Sequence, residues 1–260
     1  MDLGLRGKAA LVTGASRGIG RGIAVALARE GCRVCLCARG AEALEEAAAE
    51  VGAMGVETAT VVADVTTEAG IRAAVEGTLS AFGRIDVLVN NVGGVTGSSF
   101  DETSDEEWQA AFDLNLFPAV RATRLAVPHM RKQGGGSIVN IVSIYGREWG
   151  GPYAARATYI AAKTAEIGMT KAVAREMAPH GIRVNSVAPG AIVFPGGGWE
   201  RRSQSDPEGI GAFLKQDFPL GRFGTVDEVG RVVAFLASDA ASLIVGACLN
   251  VDGGQSRSLI

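Results

Sequence analysis

Short apolar runs alternate along the chain with longer, alanine-rich stretches, and this rhythm predicts most of the architecture. Strand-like runs are AALVT (9–13), RVCLC (33–37), TATVVA (58–63), IDVLVN (85–90), SIVNIV (137–142), RVNSVA (183–188) and ACLNV (247–251). Several have no polar face, as expected where helices cover both sides of a sheet. Helix-length segments such as Gly18 to Glu30 and Thr67 to Phe82 lie between them. A βαβα order predicts an α/β fold, a doubly wound parallel sheet of about seven strands flanked by helices on both faces. Right-handed crossovers then fix the topology. No internal repeat or low-complexity linker interrupts the pattern, so residues 1–260 read as a single domain.

One stretch breaks the rhythm. From Gly190 to Pro219 the sequence GAIVFPGGGWERRSQSDPEGIGAFLKQDFP is rich in Gly, Pro and charge, with isolated aromatics. It reads as a mobile loop with a short helix. It follows the sixth strand-like run, and ligands of open α/β sheets bind beyond the carboxyl ends of the strands. A substrate lid is therefore expected at about 190–219.

Composition narrows the partners. A hydrophobic fraction of 47% and a charged fraction of 20% describe an ordinary globular protein. A net charge of −3 gives no basic face for nucleic acid. No apolar run approaches the roughly 20 residues that cross a bilayer. The start, MDLGLRGKAALVTG, lacks the features of a signal peptide. A cytoplasmic protein without nucleic-acid or membrane partners is expected. Cys32 and Cys35 form a CxxC, but no second ligand pair follows for zinc, and the motif sits in a strand-like run rather than at a helix start. Buried free thiols are expected at Cys32, Cys35 and Cys37, with Cys248 also free, and no metal.

The first strand runs into 13-TGASRGIG-20, where Gly14, Gly18 and Gly20 precede a helix. Glycine lets the backbone turn sharply and approach a ligand. The helix N-terminus offers free N–H groups and a positive dipole end to a pyrophosphate. At the first βα junction this points to a dinucleotide. NAD-binding folds usually place Asp or Glu at the end of the second strand. Here Ala38 and Arg39 stand there, with Arg17 inside the glycine turn. Arginine binds a 2′-phosphate that a carboxylate would repel, so NADP(H) is expected over NAD(H).

All 3 tyrosines, Tyr145, Tyr153 and Tyr159, fall within IVSIYGREWGGPYAARATYIAAK (141–163). An unperturbed phenol ionises near pH 10, and a nearby cation favours the phenolate. Helical positions i and i+4 share a face. Only Tyr159 has a cation there, Lys163. Ser143 ends the strand SIVNIV, where its hydroxyl can meet a substrate carbonyl while Tyr159 delivers a proton. Tyr145 and Tyr153 are expected as pocket-wall or packing residues.

These motifs resemble the short-chain dehydrogenase/reductase family, over essentially the whole length: TGASRGIG (13–20), ADV (63–65), NNVG (90–93), Asn115 in LNLF, Ser143, YIAAK (159–163), APG (188–190) and NVDGG (250–254). The resemblance implies a Rossmann fold and a catalytic set of Asn115, Ser143, Tyr159 and Lys163. Tyr159 would be general acid in reduction and base in oxidation. Lys163 would ease its ionisation and hold the nicotinamide ribose. Ser143 would orient the carbonyl, and Asn115 would hold a relay water. The implied cofactor site is Gly14, Ser16, Arg17, Gly18, Ile19, Gly20, Arg39, Asp64, Val65, Asn91, Gly93, Tyr159, Lys163, Pro189 and Gly190. Asp64 and Val65 would border the adenine, and Asn91 would support the turn beside the cofactor.

Val92 replaces the alanine common in NNAG, and Ser143 and Tyr159 stand a few residues further apart than is usual. Gly150, Gly151 and Pro152 favour an enlarged loop there. The implied activity is NADPH-dependent reduction of a carbonyl, with a 3-oxoacyl thioester as the leading substrate. The alternatives are oxidation of a secondary alcohol, sugar or sterol-like substrate, or a non-catalytic dinucleotide sensor, against which the intact catalytic set weighs. The family is usually a homotetramer, and a homodimer is the other expectation.

Other candidates have plainer readings. His129 sits near a helix C-terminus and His180 in a loop, neither with a metal-ligand partner. Trp108 reads as helix packing. Phe194, Trp199 and Phe213 either line a pocket or staple the lid, and Arg201 and Arg202 either meet an anionic substrate or stay solvated.

Overall fold

The computed structural model describes residues 2–149 and 156–259. The strands are Ala9–Thr13 (β1), Arg33–Ala38 (β2), Thr58–Val62 (β3), Val87–Asn90 (β4), Gly136–Ile141 (β5), Ile182–Pro189 (β6), Ile192–Val193 (β7), Gly224–Thr225 (β8) and Cys248–Val251 (β9). The helices are Gly18–Arg29 (α1), Ala41–Gly52 (α2), Glu68–Phe82 (α3), Asp105–Asn115 (α4), Phe117–Lys132 (α5), Ala157–Met177 (α6), Gly198–Ser205 (α7), Pro207–Asp217 (α8) and Val226–Ala237 (α9). The seven runs read as strands become seven parallel strands of one sheet, ordered β3-β2-β1-β4-β5-β6-β9.

The apolar runs explain this layering. Successive strand side chains point to opposite faces. In β1, Ala10 and Val12 join a core with Ile23, Leu27, Val229 and Leu236, from α1 and α9. Ala9 and Leu11 join the opposite core with Ile71, Val75, Met130 and Met177, from α3, α5 and α6. Every β1 residue is buried, so neither face has room for the polar half of an alternating strand. The order of the strands reverses between β1 and β4, which opens a crevice at their carboxyl ends. The crossover through α3 carries the chain from β3 at the edge back past β2 and β1 to β4, which makes that reversal.

The segment at 190–219 is more regular than its composition suggests. It holds β7, which pairs in parallel with β8, followed by α7 and α8. Asp206 caps α8, its side chain accepting from Gly209 N, with Pro207 in the first turn. Trp199 of α7 stacks on Phe213 of α8, with centroids 5.3 Å apart and planes 7° apart. Phe218 and Phe223 close the cluster edge-on. These rings form a small core of their own with Ala191 and Ile210.

The four cysteines are free, Cys32, Cys35 and Cys37 being buried. Burial, helped by Asp86, pushes the Cys32 thiol up to about 12. Burial likewise pushes Cys37 up to about 12. Among the described residues no His, Cys, Asp and Glu side chains gather as a metal-binding group, and no helix is long and apolar enough to cross a membrane.

Candidate active site

Each strand of the crevice delivers a site residue just past its end: Gly14 after β1, Arg39 after β2, Asp64 after β3, Asn91 after β4, Ser143 after β5 and Gly190 after β6. A cleft of about 680 Å³ runs across these ends. The predicted residues Gly14, Ser16, Arg17, Gly18, Ile19, Arg39, Asp64, Val65, Asn91, Gly93, Tyr159 and Lys163 all line it. A smaller pocket of about 150 Å³ adjoins it, lined by Ser143, Tyr145, Tyr159, Pro189, Gly190, Trp199 and Arg202 among others. Tyr159 borders both. Pro189 and Gly190 thus face the smaller pocket rather than the cleft.

The glycine turn is held from the next strand. Asn91 Nδ2 donates to the carbonyls of Thr13 and Gly14 at 3.0 and 3.3 Å, and Asn91 N donates to Thr13 Oγ1 at 3.0 Å. Gly20 does not line the cleft; it lies beneath the turn. A Cβ there would collide with the Gly14 carbonyl oxygen and stand 2.6 Å from Asn91 Nδ2. Gly18 has a φ of +58°, in the left-handed region that glycine enters freely. A Cβ on it would meet the Phe194 ring at 2.8 Å, so that ring lies against the turn.

The other end of the cleft carries opposed charges. Arg39 Nη1 lies 4.0 Å from Asp64 Oδ2, and the Arg39 side chain is 77% exposed. Asp64 Oδ1 accepts from Thr66 N at 3.0 Å and from Thr66 Oγ1 at 2.8 Å. Those two bonds, with a smaller contribution from Arg39, hold the Asp64 carboxyl below its usual range. It is a fixed anion whose Oδ2 accepts no hydrogen bond among the described residues and is left to face Arg39 or a ligand.

Ser143 is 7% exposed. Its Oγ accepts from Tyr145 N at 3.1 Å, the cap of a short 3₁₀ turn. An accepting hydroxyl keeps its own proton to donate. Tyr159 stands in the first turn of α6, and Lys163 follows one turn later, buried, with its Nζ donating to Ile141 O at 2.9 Å. It also donates to Glu166 Oε2 at 2.7 Å. Burial works to lower the Lys163 pKa, but the charge of Glu166, the Tyr159 hydroxyl and the hydrogen bond to Glu166 outweigh it and raise it overall. The ammonium stays charged, and one of its three protons remains for a group in the cleft.

Asn115 is fully enclosed and lines neither cavity. Its Oδ1 accepts from Gly94 N at 2.8 Å, and its Nδ2 donates to Gly94 O and Ala111 O at 3.0 and 2.9 Å. Its amide is spent on clamping the Gly93–Gly94 turn beside Lys163. A Cβ on Gly93 would lie 2.8 Å from Asn115 Oδ1 and 3.1 Å from Lys163 Nζ.

Several residues of the site were undecided or unseen in the sequence. Tyr145 lines the small pocket, and its buried hydroxyl has no hydrogen-bond partner of good geometry among the described residues. Burial raises its pKa, while nearby Gln255 and Arg202 act against that rise. Arg202 meets the pocket with its guanidinium 5.0 Å from the Trp199 ring centroid. Phe194 enters the cleft, whereas Phe213 packs against Trp199. Glu166 had no signal except its place three residues after Lys163. His129 lies in the last turn of α5, as expected, and His180 ends a 3₁₀ turn where a loop was expected. Trp108 packs edge-on against Phe100. Tyr153 and residues 150–152, expected as a loop, lie outside the described residues.

A family model described as enoyl-(acyl carrier protein) reductase matches residues 14–256. A 3-oxoacyl-[acyl-carrier-protein] reductase of Synechocystis is 41% identical over 253 residues, covering 96% of this chain and 98% of the relative. One from Staphylococcus aureus (strain N315) is 39% identical over 249 residues, covering 95% and 98%. Among solved structures, L-sorbose reductase from Gluconobacter frateurii, complexed with NADPH and L-sorbose, superposes with a TM-score of 0.93 at 35% identity over 100% of both chains. A 7α-hydroxysteroid dehydrogenase complexed with NADH and 7-oxo glycochenodeoxycholic acid gives 0.89 at 30% identity, over 100% of this chain and 98% of the other.

Proposed function

The chain belongs to the short-chain dehydrogenase/reductase family, and from that premise we propose that this oxidoreductase reduces a 3-oxoacyl thioester to the secondary alcohol with NADPH. The observation that carries the reading is the meeting of Ser143 and Tyr159 in one small pocket, with the Lys163 ammonium buried behind them. The residues of the cleft fit a dinucleotide: a glycine turn at a helix N-terminus at one side, arginines at one end, Tyr159 and Lys163 at the other. When bound, the nicotinamide supplies hydride to the carbonyl carbon. Tyr159 gives its proton to the carbonyl oxygen, and Ser143 donates a hydrogen bond to that same oxygen as charge builds on it. Lys163 holds a ribose hydroxyl with its remaining proton and keeps positive charge near the developing oxyanion.

Arg17 and Arg39 support NADPH over NADH, since no acid stands at the end of β2 to meet a free ribose hydroxyl. The relatives that reduce 3-oxoacyl carrier-protein substrates support the thioester, and Arg202 at the pocket gives an anionic carrier arm a cation to meet. The segment at 190–219 serves as the lid, and a homotetramer is the assembly proposed, to be checked by light scattering. Initial rates with an acetoacetyl thioester, against a panel of ketones, sugars and sterols, test the substrate. No turnover of any thioester rejects it. The likeness to the sorbose reductase favours a second reading, a sugar or secondary-alcohol substrate, which the same panel separates.

A further inference from the structure

Hydride transfer with proton donation from Tyr159 does not by itself call for the acid behind Lys163. Lys163 and Glu166 have side chains only 2% exposed each, with Nζ 2.7 Å from Oε2. Taking two ions out of water costs several kcal/mol for each, and apolar side chains of similar size would fill the same space at no such cost. The pair lies on the buried face of α6 with Thr158, Ala162, Thr170 and Ala174. That face is locked in register. Thr170 Oγ1 donates to Glu166 O at 2.8 Å, Asn140 Nδ2 donates to Thr170 Oγ1 at 2.8 Å, and Asn90 Nδ2 donates to Asn140 Oδ1 at 2.8 Å. A chain of bonds thus runs from β4 through β5 to the helix turn that carries Glu166.

We propose that Glu166 is a positioning residue for the proton step: it pins the Lys163 ammonium against β5 and offsets its charge at Tyr159. The inference rests on the reading of Tyr159 as the proton donor. An isolated ammonium draws a neighbouring phenol toward the phenolate. A carboxylate directly behind it turns a single charge into a pair, whose pull on the phenol is weaker. The pull on the phenol is then set by the pair and not by Lys163 alone.

The groups acting on the pair are few. On α6 they are Tyr159, Lys163 and Glu166 themselves. Facing them, β5 presents the Ile141 carbonyl and the Asn140 amide, and α4 presents Asn115, none of them ionisable. Across the small pocket, Tyr145 feels the charge of Tyr159, and Arg202 and Asp217 act on Tyr145. Burial holds the Glu166 carboxyl above its usual range, with Lys163 opposing. It therefore takes up a proton at higher pH than an exposed glutamate, and the offset fades as the medium is acidified.

The test compares wild type, Glu166→Gln and Glu166→Asp by two readouts. One is phenolate absorbance against pH in the apoenzyme, taking as Tyr159's the step that is absent from Tyr159→Phe. The other is the pH profile of alcohol oxidation, which needs the phenolate. Removing the carboxylate charge is expected to move both midpoints to lower pH by about one unit. Glu166→Asp, whose charge is withdrawn by one methylene, is expected between Gln and wild type. A purely structural role would lower melting temperature or turnover without that ordered shift. A midpoint for folded Glu166→Gln equal to or above wild type overturns the proposal. Should Glu166→Gln not fold, the Glu166→Asp midpoint decides with the same sign. If Tyr159→Phe keeps its activity, the proton-donor reading fails instead, which distinguishes the two.

Discussion

Replacing Arg39 by aspartate should reverse the cofactor preference. Arg39 stands one residue past β2, lines the cleft and is 77% exposed in its side chain, with only a loose 4.0 Å contact to Asp64. Exposed pairs of that kind contribute about 0–1 kcal/mol, so the fold loses little by the change. A hydrogen bond to a charged group is worth about 1.5–3 kcal/mol. Solvent at this rim points to the lower end, roughly tenfold in NADPH affinity. A carboxylate in its place adds a like charge against the 2′-phosphate, about 1 kcal/mol at ~4 Å in water. For NADH the same carboxylate accepts ribose hydroxyls, a gain of about 1 kcal/mol. The sum, about 3.5 kcal/mol, shifts the ratio of catalytic efficiencies by roughly two and a half orders of magnitude toward NADH. Steady-state kcat/KM for both cofactors with one fixed carbonyl substrate measures it, and a melting curve checks the fold. A wild type that already prefers NADH, or an Arg39→Asp ratio within twofold of wild type, refutes the reasoning.

Three further outcomes are expected. Tyr159→Phe should still bind NADPH, read by nucleotide fluorescence, and lose at least a hundredfold in kcat, since general acid catalysis contributes about 10²–10⁴. Gly20→Ala should weaken NADPH binding more than tenfold and cost about 1–3 kcal/mol of stability, because its Cβ has no room under the Gly14 carbonyl and Asn91; wild-type affinity and melting temperature would contradict this. Tyr145→Phe removes a buried hydroxyl that has no hydrogen-bond partner of good geometry among the described residues. If that hydroxyl serves substrate, KM rises by roughly 5–10-fold with NADPH affinity untouched, as for one neutral hydrogen bond; unchanged KM assigns it to packing.

Much of the scaffold was legible because burial on both faces leaves an uninterrupted apolar run. β1 coincides with AALVT, and β2 and β3 differ from their expected runs by one residue at the carboxyl end. The cleft was legible because a sharp turn at a helix start demands glycine, and a phenol paired with a cation at i+4 is a local pattern. Glu166 was not. An acid on a helix ordinarily faces water, and nothing local says that this face of α6 packs on β5. The motif singles out Asn115, but the sequence could not show that its side-chain amide is taken up by Gly94 and Ala111. The helix α8 did carry a local signal, Asp206 before Pro207; the surrounding glycines and charges masked it. Its stability comes from the aromatic cluster, a contact between residues apart in sequence.

Phe194 joins matters that the two cavities keep apart. Its ring rests on Gly18 in the glycine turn, while Trp199 and Arg202, a few residues on, wall the small pocket. One stretch of chain therefore borders both cavities. Were the nucleotide of the proposed function to bind first against Phe194, the neighbouring wall of the small pocket would be set before substrate arrives. Product inhibition should then be asymmetric, with NADP⁺ competing directly against NADPH while the alcohol product does not.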